Sequence, residues 1–327
     1  MPTIKEIKSQ LSNKNISVQE LYNDYYDKAK KSKLNSFNHL VDPEYNIENI
    51  NSSQARYDEG KDLSLDGIPL GIKDLFCTKG VPTTASSKIL EKFIPEYESR
   101  VTQNLLNDGS LFLGKNNCDE FAMGSSNETS FFGPVVNPWK NKNNTDSQLV
   151  PGGSSGGSAS AVAEGICVAS IGTDTGGSIR QPASLCGVVG LKPTFGSCSR
   201  WGVVAFASSL DQAGPITNSV EDAAYLLNSI SSHDPNDSTC SSHKRDNFIE
   251  SVGKSFDRPI TVGIPSDYLK DINSDIAEQI ENTKKHLSKL NVNIVDVEFT
   301  TTDFALSTYY ILAPAEASSN LARYDGI

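Results

Sequence analysis

Residues 151–165, PGGSSGGSASAVAEG, and residues 172–184, GTDTGGSIRQPAS, are two glycine–serine segments separated by one short apolar run at 166–171. No other feature limits the fold as tightly. Glycine runs let the backbone take positive φ and come close to a bound group, and successive N–H groups in such turns make anion-binding concavities. Flexible linkers do not alternate with a buried strand and a small-residue helix such as 159–163, so the block reads as two loops flanking a core strand and serving a site.

Three chemistries compete for these loops. Phosphate binding fits poorly: there is no GxGxxG, and the nearest P-loop match, 109–115, has Asn116 where a magnesium-binding Ser or Thr belongs. Its apolar middle reads instead as a core strand entered through an Asp108-Gly109 turn. A nucleophile elbow fits twice, around Ser154 and around Ser155, but it needs a downstream Asp or Glu and then a His. The four histidines supply that badly: His39 lies upstream, His233 and His243 fall in a polar stretch, and His286 sits on an amphipathic helical pattern. A lysine base is the third option. Lys73 ends the apolar run 68–72, where lost solvation lowers an ammonium pKa so that the neutral amine can act. The plainer reading of the same residue is a strand-end lysine reaching for water.

Around this block the chain has α/β rhythm. Thr3 with Glu6 and Ser17 with Glu20 form capping boxes, followed at helical spacing by Ile4, Ile7 and Leu11, then Leu21 and Tyr25; two amphipathic helices are predicted. Apolar runs at 68–72, 111–113, 166–171, 260–264 and 292–297 predict buried strands. The last two enclose a helix with Ile276, Ile280, Leu287 and Leu290 on one face, which makes a right-handed βαβ unit. One domain is expected over 1–327: a helical segment 1–60, a catalytic core 61–230, a polar surface excursion 231–257 and a βαβ-and-helix continuation 258–327. The closing EASSNLARYDGI ends inside a helical pattern with no cap or polar tail, so the fold is expected to be incomplete at its C-terminus.

Charge and cysteine usage narrow the function. Lys plus Arg number 29 against 40 Asp plus Glu, a net charge of −11 with no basic stripe, which argues against direct nucleic-acid binding. Cys77, Cys118, Cys167, Cys186, Cys198 and Cys240 are scattered singly, without CxxC or neighbouring histidines, as in a reduced, zinc-free protein. MPTIKEIKSQLSNKN has no leader-like apolar core and no membrane-spanning run follows, so a cytoplasmic location is expected.

Ordered motifs then carry a resemblance. GIKD at 71–74, PGGSSGGS at 151–158 and GTDTGGSIR at 172–180, with CGVVGLKPT at 186–194 and SSLDQAGP at 208–215, resemble the amidase signature family over most of the chain. The resemblance implies an α/β fold with a central mixed, twisted β-sheet flanked by α-helices and preceded by N-terminal helices. It also implies a Ser-cisSer-Lys unit, with Ser178 as the acylated nucleophile, Ser154 after a cis bond from Gly153 as the bridge, and Lys73 as the base. The backbone amides of Thr175, Gly176 and Gly177 would form the oxyanion hole. The chemistry is consistent, because a hydroxyl donates and accepts at once and can pass a proton from Ser178 to a neutral lysine and back to the leaving ammonia. Ser155, Asp174 and Arg180 are read as supporting or structural.

Within that family, the segments 118–128, 200–208 and 309–326 resemble the glutaminase subunits of tRNA-dependent amidotransferases. This implies that the chain hydrolyses glutamine and that the ammonia passes to a B subunit, which activates tRNA-bound glutamate with ATP and magnesium, while a small C subunit clamps the two. No cofactor or metal is implied in the chain itself, and its acidity suits a tRNA held by the partner. Gly124, Ser125, Ser126 and Tyr309 are implied to line the glutamine pocket, with a substrate-anchoring Arg and Asp beyond Ile327. The alternatives are a free-standing amidase for another amide, an inactive truncated product, and an esterase with Ser154 or Ser155 as nucleophile.

Overall fold

The chain opens with two helices whose starts are fixed by their first turns. In α1 (Ile4–Ser12) and α2 (Val18–Lys31) the expected capping boxes are both formed, and Ile4, Ile7, Leu11, Val18, Leu21 and Tyr25 face the core. A computed structural model describes residues 1–324 apart from 143, 145, 244–246, 256, 257 and 291. It divides into two compact units, Met1–Val252 with Ala315–Ile327, and Gly253–Pro314. The division falls inside the stretch 231–257 that reads as a surface excursion, because the segment after it pairs its strands with each other.

In the first unit, β1 (Phe37–Leu40) leads into α3 (Pro43–Glu59), which starts on an Asp42 cap with proline in its first turn and ends at Gly60 in the left-handed region. There follow β2 (Pro69–Lys73), α4 (Arg100–Asn107), β3 (Leu111–Asn116), α5 (Gly156–Glu164), β4 (Ala169–Asp174), α6 (Arg180–Cys186), β5 (Val189–Gly190), β6 (Gln212–Thr217), α7 (Val220–Ile230) and the short α8 (Phe248–Ser251). Six strands form one sheet in the order β1-β3-β2-β4-β6-β5. β2 runs parallel to both β3 and β4, while β1, β5 and β6 pair antiparallel, so the sheet is mixed. Helices pack around it, as in an α/β fold. Leu70, Ile72, Leu111, Ile171 and Ile216 are fully buried at its centre, each contributing up to about 1.5–3 kcal/mol of apolar burial.

The strand between the glycine segments differs from its expected position. It runs over Ala169–Asp174 instead of 166–171. Gly165, at φ +78, closes α5, and the next three residues carry the chain down to the sheet. Gly172, Thr173 and Asp174 then extend the strand by pairing with Gly214, Ala213 and Gln212 of β6. The functional loop is thereby shortened to Thr175–Ile179. The apolar run at 111–113 lies in β3, entered through Gly109 at φ +88, as expected of a strand and not of a phosphate loop.

The second unit contains β7 (Ile260–Pro265) and β8 (Val292–Val297), paired parallel in full register, with α9 (Ser274–Leu287) between them in sequence. Tyr268 stacks on Phe299 beside this pair. α10 (Thr302–Leu321) has its first thirteen residues in this unit and its remainder in the first. Among the described residues no helix is long and apolar enough to cross a membrane.

Candidate active site

Lys73 is the last residue of β2 and is wholly buried, a rare place for a lysine. Its Nζ hydrogen-bonds to Ser154 Oγ at 2.7 Å and to Thr173 Oγ1 at 2.8 Å. Both partners are neutral. Burial therefore pushes the ammonium pKa down to about 8, against the opposing influence of Cys118, Asp119, Asp211 and Asp174. Thr173 belongs to β4, the strand paired with β2, so the sheet itself brings the two side chains together.

The Gly153–Ser154 peptide bond is cis. Gly153 has to lack a side chain, since a Cβ there would sit 2.0 Å from Asp119 Oδ2 and 2.9 Å from the Ser126 nitrogen. Asp119 is buried and organises the loop beyond it: its carboxylate accepts from the Asn127 N–H at 2.9 Å and the Thr129 hydroxyl at 2.9 Å, and its own N–H donates to the Ser154 carbonyl at 3.2 Å. This holds Ser125 and Ser126 against Gly153, with Gly124 and Ser125 exposed and Ser126 half-buried.

Ser178 is half-buried in the turn between β4 and α6, and its carbonyl accepts from the Ser155 N–H at 3.1 Å. The turn thus touches the Ser154–Ser155 segment through its backbone, while the hydrogen bonds of Lys73 go to Ser154 and Thr173. Asp174 shapes the turn. Its carboxylate accepts from the N–H groups of Gly177 (2.9 Å), Ile179 (3.1 Å) and Arg180 (3.3 Å), and from the Arg180 guanidinium at 3.0 and 2.9 Å. Burial raises the Asp174 pKa, but the guanidinium and these amides outweigh it and hold the carboxyl below its usual range. Of the three amides expected to face an oxyanion, that of Gly177 is thus donated to Asp174. Thr175 is fixed by its hydroxyl, which donates to Asp211 Oδ1 at 2.5 Å. Asp211 in turn accepts from the Phe206 and Ala207 N–H groups, and burial raises its pKa.

The other expected residues are spread more widely. Ser155 is buried with its hydroxyl donating to the Thr173 carbonyl at 3.2 Å, tied to β4. His233, His243 and His286 are exposed, and His39 packs edge-on against Phe132. Tyr309 lies in the second unit, edge to face with Tyr310. All six cysteines are buried, and no cluster of three or more His, Cys, Asp or Glu suited to a metal occurs among the described residues. A cavity of about 660 Å3 is lined by Tyr97, Arg200, Trp201, Asp211, Arg323 and Tyr324 together with other residues, and meets the site only through Asp211. Sequence reasoning missed Thr173, Asp119 and Asp211. Thr173 is the next residue on the same face of the strand as Ile171, a signal readable only once the two parallel strands are known to pair; the two carboxylates stand inside the quoted segments 118–128 and 208–215, where no spacing assigned them a role.

The sequence model of the amidase family matches residues 20–327. The chain is similar to the A subunit of glutamyl-tRNA(Gln) amidotransferase from Caulobacter vibrioides, 56% identical over 289 residues that cover 88% of this chain and 59% of the relative. It is similar to the protein of the same name from Rhizobium meliloti, 52% identical over 99% of this chain and 66% of that one. Among solved structures, the corresponding A subunit from Thermotoga maritima superimposes with a TM-score of 0.83 at 40% identity, covering 98% of this chain and 66% of that one. The native peptide amidase of Stenotrophomonas maltophilia gives 0.81 at 26% identity, over 98% and 67%. The chain spans about 60% of the length of the curated relatives it matches.

Proposed function

The chain belongs to the amidase family, and on that premise we propose that it is the glutamine-hydrolysing part of a tRNA-dependent amidotransferase, working through Ser178, Ser154 and Lys73. The observation that carries this reading is the 2.7 Å contact between a fully buried lysine and Ser154, with no charged partner in the hydrogen bonds of the lysine. A solvated lysine is an ammonium at neutral pH and cannot take a proton; one brought down to about 8 has an accessible neutral form.

In the proposed reaction neutral Lys73 takes the Ser154 proton as Ser154 takes that of Ser178. The Ser178 oxygen forms a bond to the side-chain amide carbon of glutamine, and the carbonyl oxygen becomes an oxyanion facing the amides of Thr175 and Gly176. Collapse breaks the carbon–nitrogen bond, the proton returns through Ser154 to the nitrogen, and ammonia leaves. Water then cleaves the acyl-enzyme by the reverse relay, releasing glutamate. Gly124, Ser125 and Ser126 are assigned to the glutamine pocket. The ammonia passes to a B subunit, held with a C subunit, where ATP and magnesium serve the activation of glutamyl-tRNA bound by that partner; no cofactor is assigned to the chain itself, and its proposed location is the cytoplasm. Glutamine is preferred over other amides because relatives at 52–56% identity carry the amidotransferase name, whereas the peptide amidase matches at 26%.

A diazo-ketone analogue of glutamine tests this directly. Peptide mass mapping should place the label on Ser178, and Lys73→Ala should abolish it. Label on Ser154 or Ser155 overturns the relay. Hydrolysis of peptide amides in place of glutamine replaces the amidotransferase reading with that of a free-standing amidase.

A further inference from the structure

Gln181 lies three residues after Ser178, in the first turn of α6, and uses both ends of its side-chain amide. Its Oε1 accepts from the Gly153 N–H at 2.8 Å, and its Nε2 donates to the Ser125 carbonyl at 2.9 Å. One side chain therefore ties three segments together: the helix that follows Ser178, the residue before Ser154, and the loop 124–126. Room for it is kept by Gly152, at φ +84, where a Cβ would meet Gln181 Oε1 and the Pro182 Cα each at 2.8 Å. On its other side Gly153 meets Asp119, whose carboxylate fills the place of its missing Cβ. Gly153 is thus held by a hydrogen bond from one direction and by packing from another.

We propose that Gln181 is a positioning residue that couples the Ser154 bridge to the substrate loop, so that the placement of the amide and of the proton relay are set together. This rests on the reading of Ser154 as the relay and of 124–126 as part of the pocket. A carboxamide of this length meets both demands, because it presents an acceptor and a donor on one planar group. Glutamate keeps the acceptor toward Gly153 but turns a second acceptor oxygen on the Ser125 carbonyl. Methionine has similar reach and makes neither bond. Since Gln181 is exposed, both substitutions leave the core intact.

Hydrogen exchange read by mass spectrometry on peptides covering 122–129 and 150–156 separates the two bonds. Glutaminase KM and kcat, and the rate at which a phosphonyl fluoride labels Ser178, report the consequence. Gln181→Glu is expected to speed exchange in 122–129 while 150–156 stays protected, raising KM roughly five- to tenfold with little change in kcat, the scale of one lost hydrogen bond. Gln181→Met is expected to speed exchange in both segments and to lower kcat and the labelling rate by a similar factor. Exchange unchanged in both segments, or kinetics equal to wild type in both variants, overturns the coupling. A wild-type protein that neither hydrolyses glutamine nor takes the phosphonyl label refutes the reading of the site, while the exchange data still decide whether Gln181 links the two segments.

Discussion

Lys73 and Lys115 are wholly buried lysines at the ends of adjacent parallel strands, and their surroundings equip them for different work. Lys115 pairs in register with Ile72, so it and Lys73 point to opposite faces of the sheet. On its face Lys115 donates to the Phe76 carbonyl at 2.5 Å and to the hydroxyls of Thr83 at 2.7 Å and Thr78 at 3.2 Å, with Asp74 at 3.6 Å. Those contacts use all three protons of an ammonium. Lys73 has two neutral hydroxyls. Burial lowers both pKa values, but at Lys115 the adjacent Asp74 leads the opposition to it. A buried lysine given a carbonyl and a carboxylate is a structural cation. One given only hydroxyls keeps a proton that can leave, and that difference separates the two sides of the sheet.

The largest test of this contrast is chemical. Lys73→Met should slow acylation of Ser178 by about 10²–10⁴-fold, the usual cost of losing a general base, as measured by the rate of covalent labelling. Lys115→Met should fail in a different way. It takes the neighbouring ammonium from Asp74, whose other partners Asn38 and Thr84 are neutral, and removes one donor from the Phe76 carbonyl and the one given to Thr83, so unfolding in urea should show a loss of roughly 3–5 kcal/mol. A Lys115 variant of normal stability would undo the comparison.

Stability should move the other way at Lys73. Its folded pKa of about 8 lies below the 10.5 of an unperturbed lysine, so between those values the unfolded chain binds the extra proton and wild-type stability rises with pH. Below pH 8 both states are protonated and the penalty of the buried charge is fully present. Lys73→Met, which removes that penalty but also two hydrogen bonds, should therefore stabilise the protein by roughly 1–3 kcal/mol at pH 7. The gain should shrink as pH rises from 8 toward 10.5. A gain that grows with pH, or none at pH 7, would show that the lysine is not held at a cost.

How much of this was visible in the sequence differs between the two lysines. Lys73 was marked by its place at the end of an apolar run and by the GIKD motif that contains it. Lys115 sat at the end of a rejected P-loop match, and its partners Phe76, Thr78 and Thr83 lie more than thirty residues upstream, so only the parallel pairing of β2 with β3 discloses its role. Capping boxes announced α1 and α2 because the signal is local. β6 was invisible for the opposite reason: QAGPIT holds a glycine and a proline, and it is a strand because β4 and β5 pair on its two sides. The same pairing turned Gly172 to Asp174 from expected loop into strand. Ser154 and Ser178 were legible from their motifs, and Asp174, which holds the Ser178 turn from within it, was read there as supporting, whereas Asp119 and Gln181 reach Gly153 across distances no spacing rule reports.

The smallest effect sharpens the contrast most. If neutral Lys73 is the acting form, the rate of Ser178 labelling should climb with pH through about 8 and level above it. Asp211 helps to set that midpoint, because its negative charge favours the ammonium of Lys73 without touching it. Asp211→Asn keeps an oxygen for the Thr175 hydroxyl while removing the charge, so the midpoint should move down by less than about one unit. The plateau should also fall a few-fold, since the amide nitrogen would face the Phe206 N–H where an acceptor now stands. Asp74→Asn makes the matching change on the Lys115 side, and there the midpoint should stay in place even as the protein loses stability. A midpoint that follows Asp74 and ignores Asp211 would mean that the wrong face of the sheet has been read as the base.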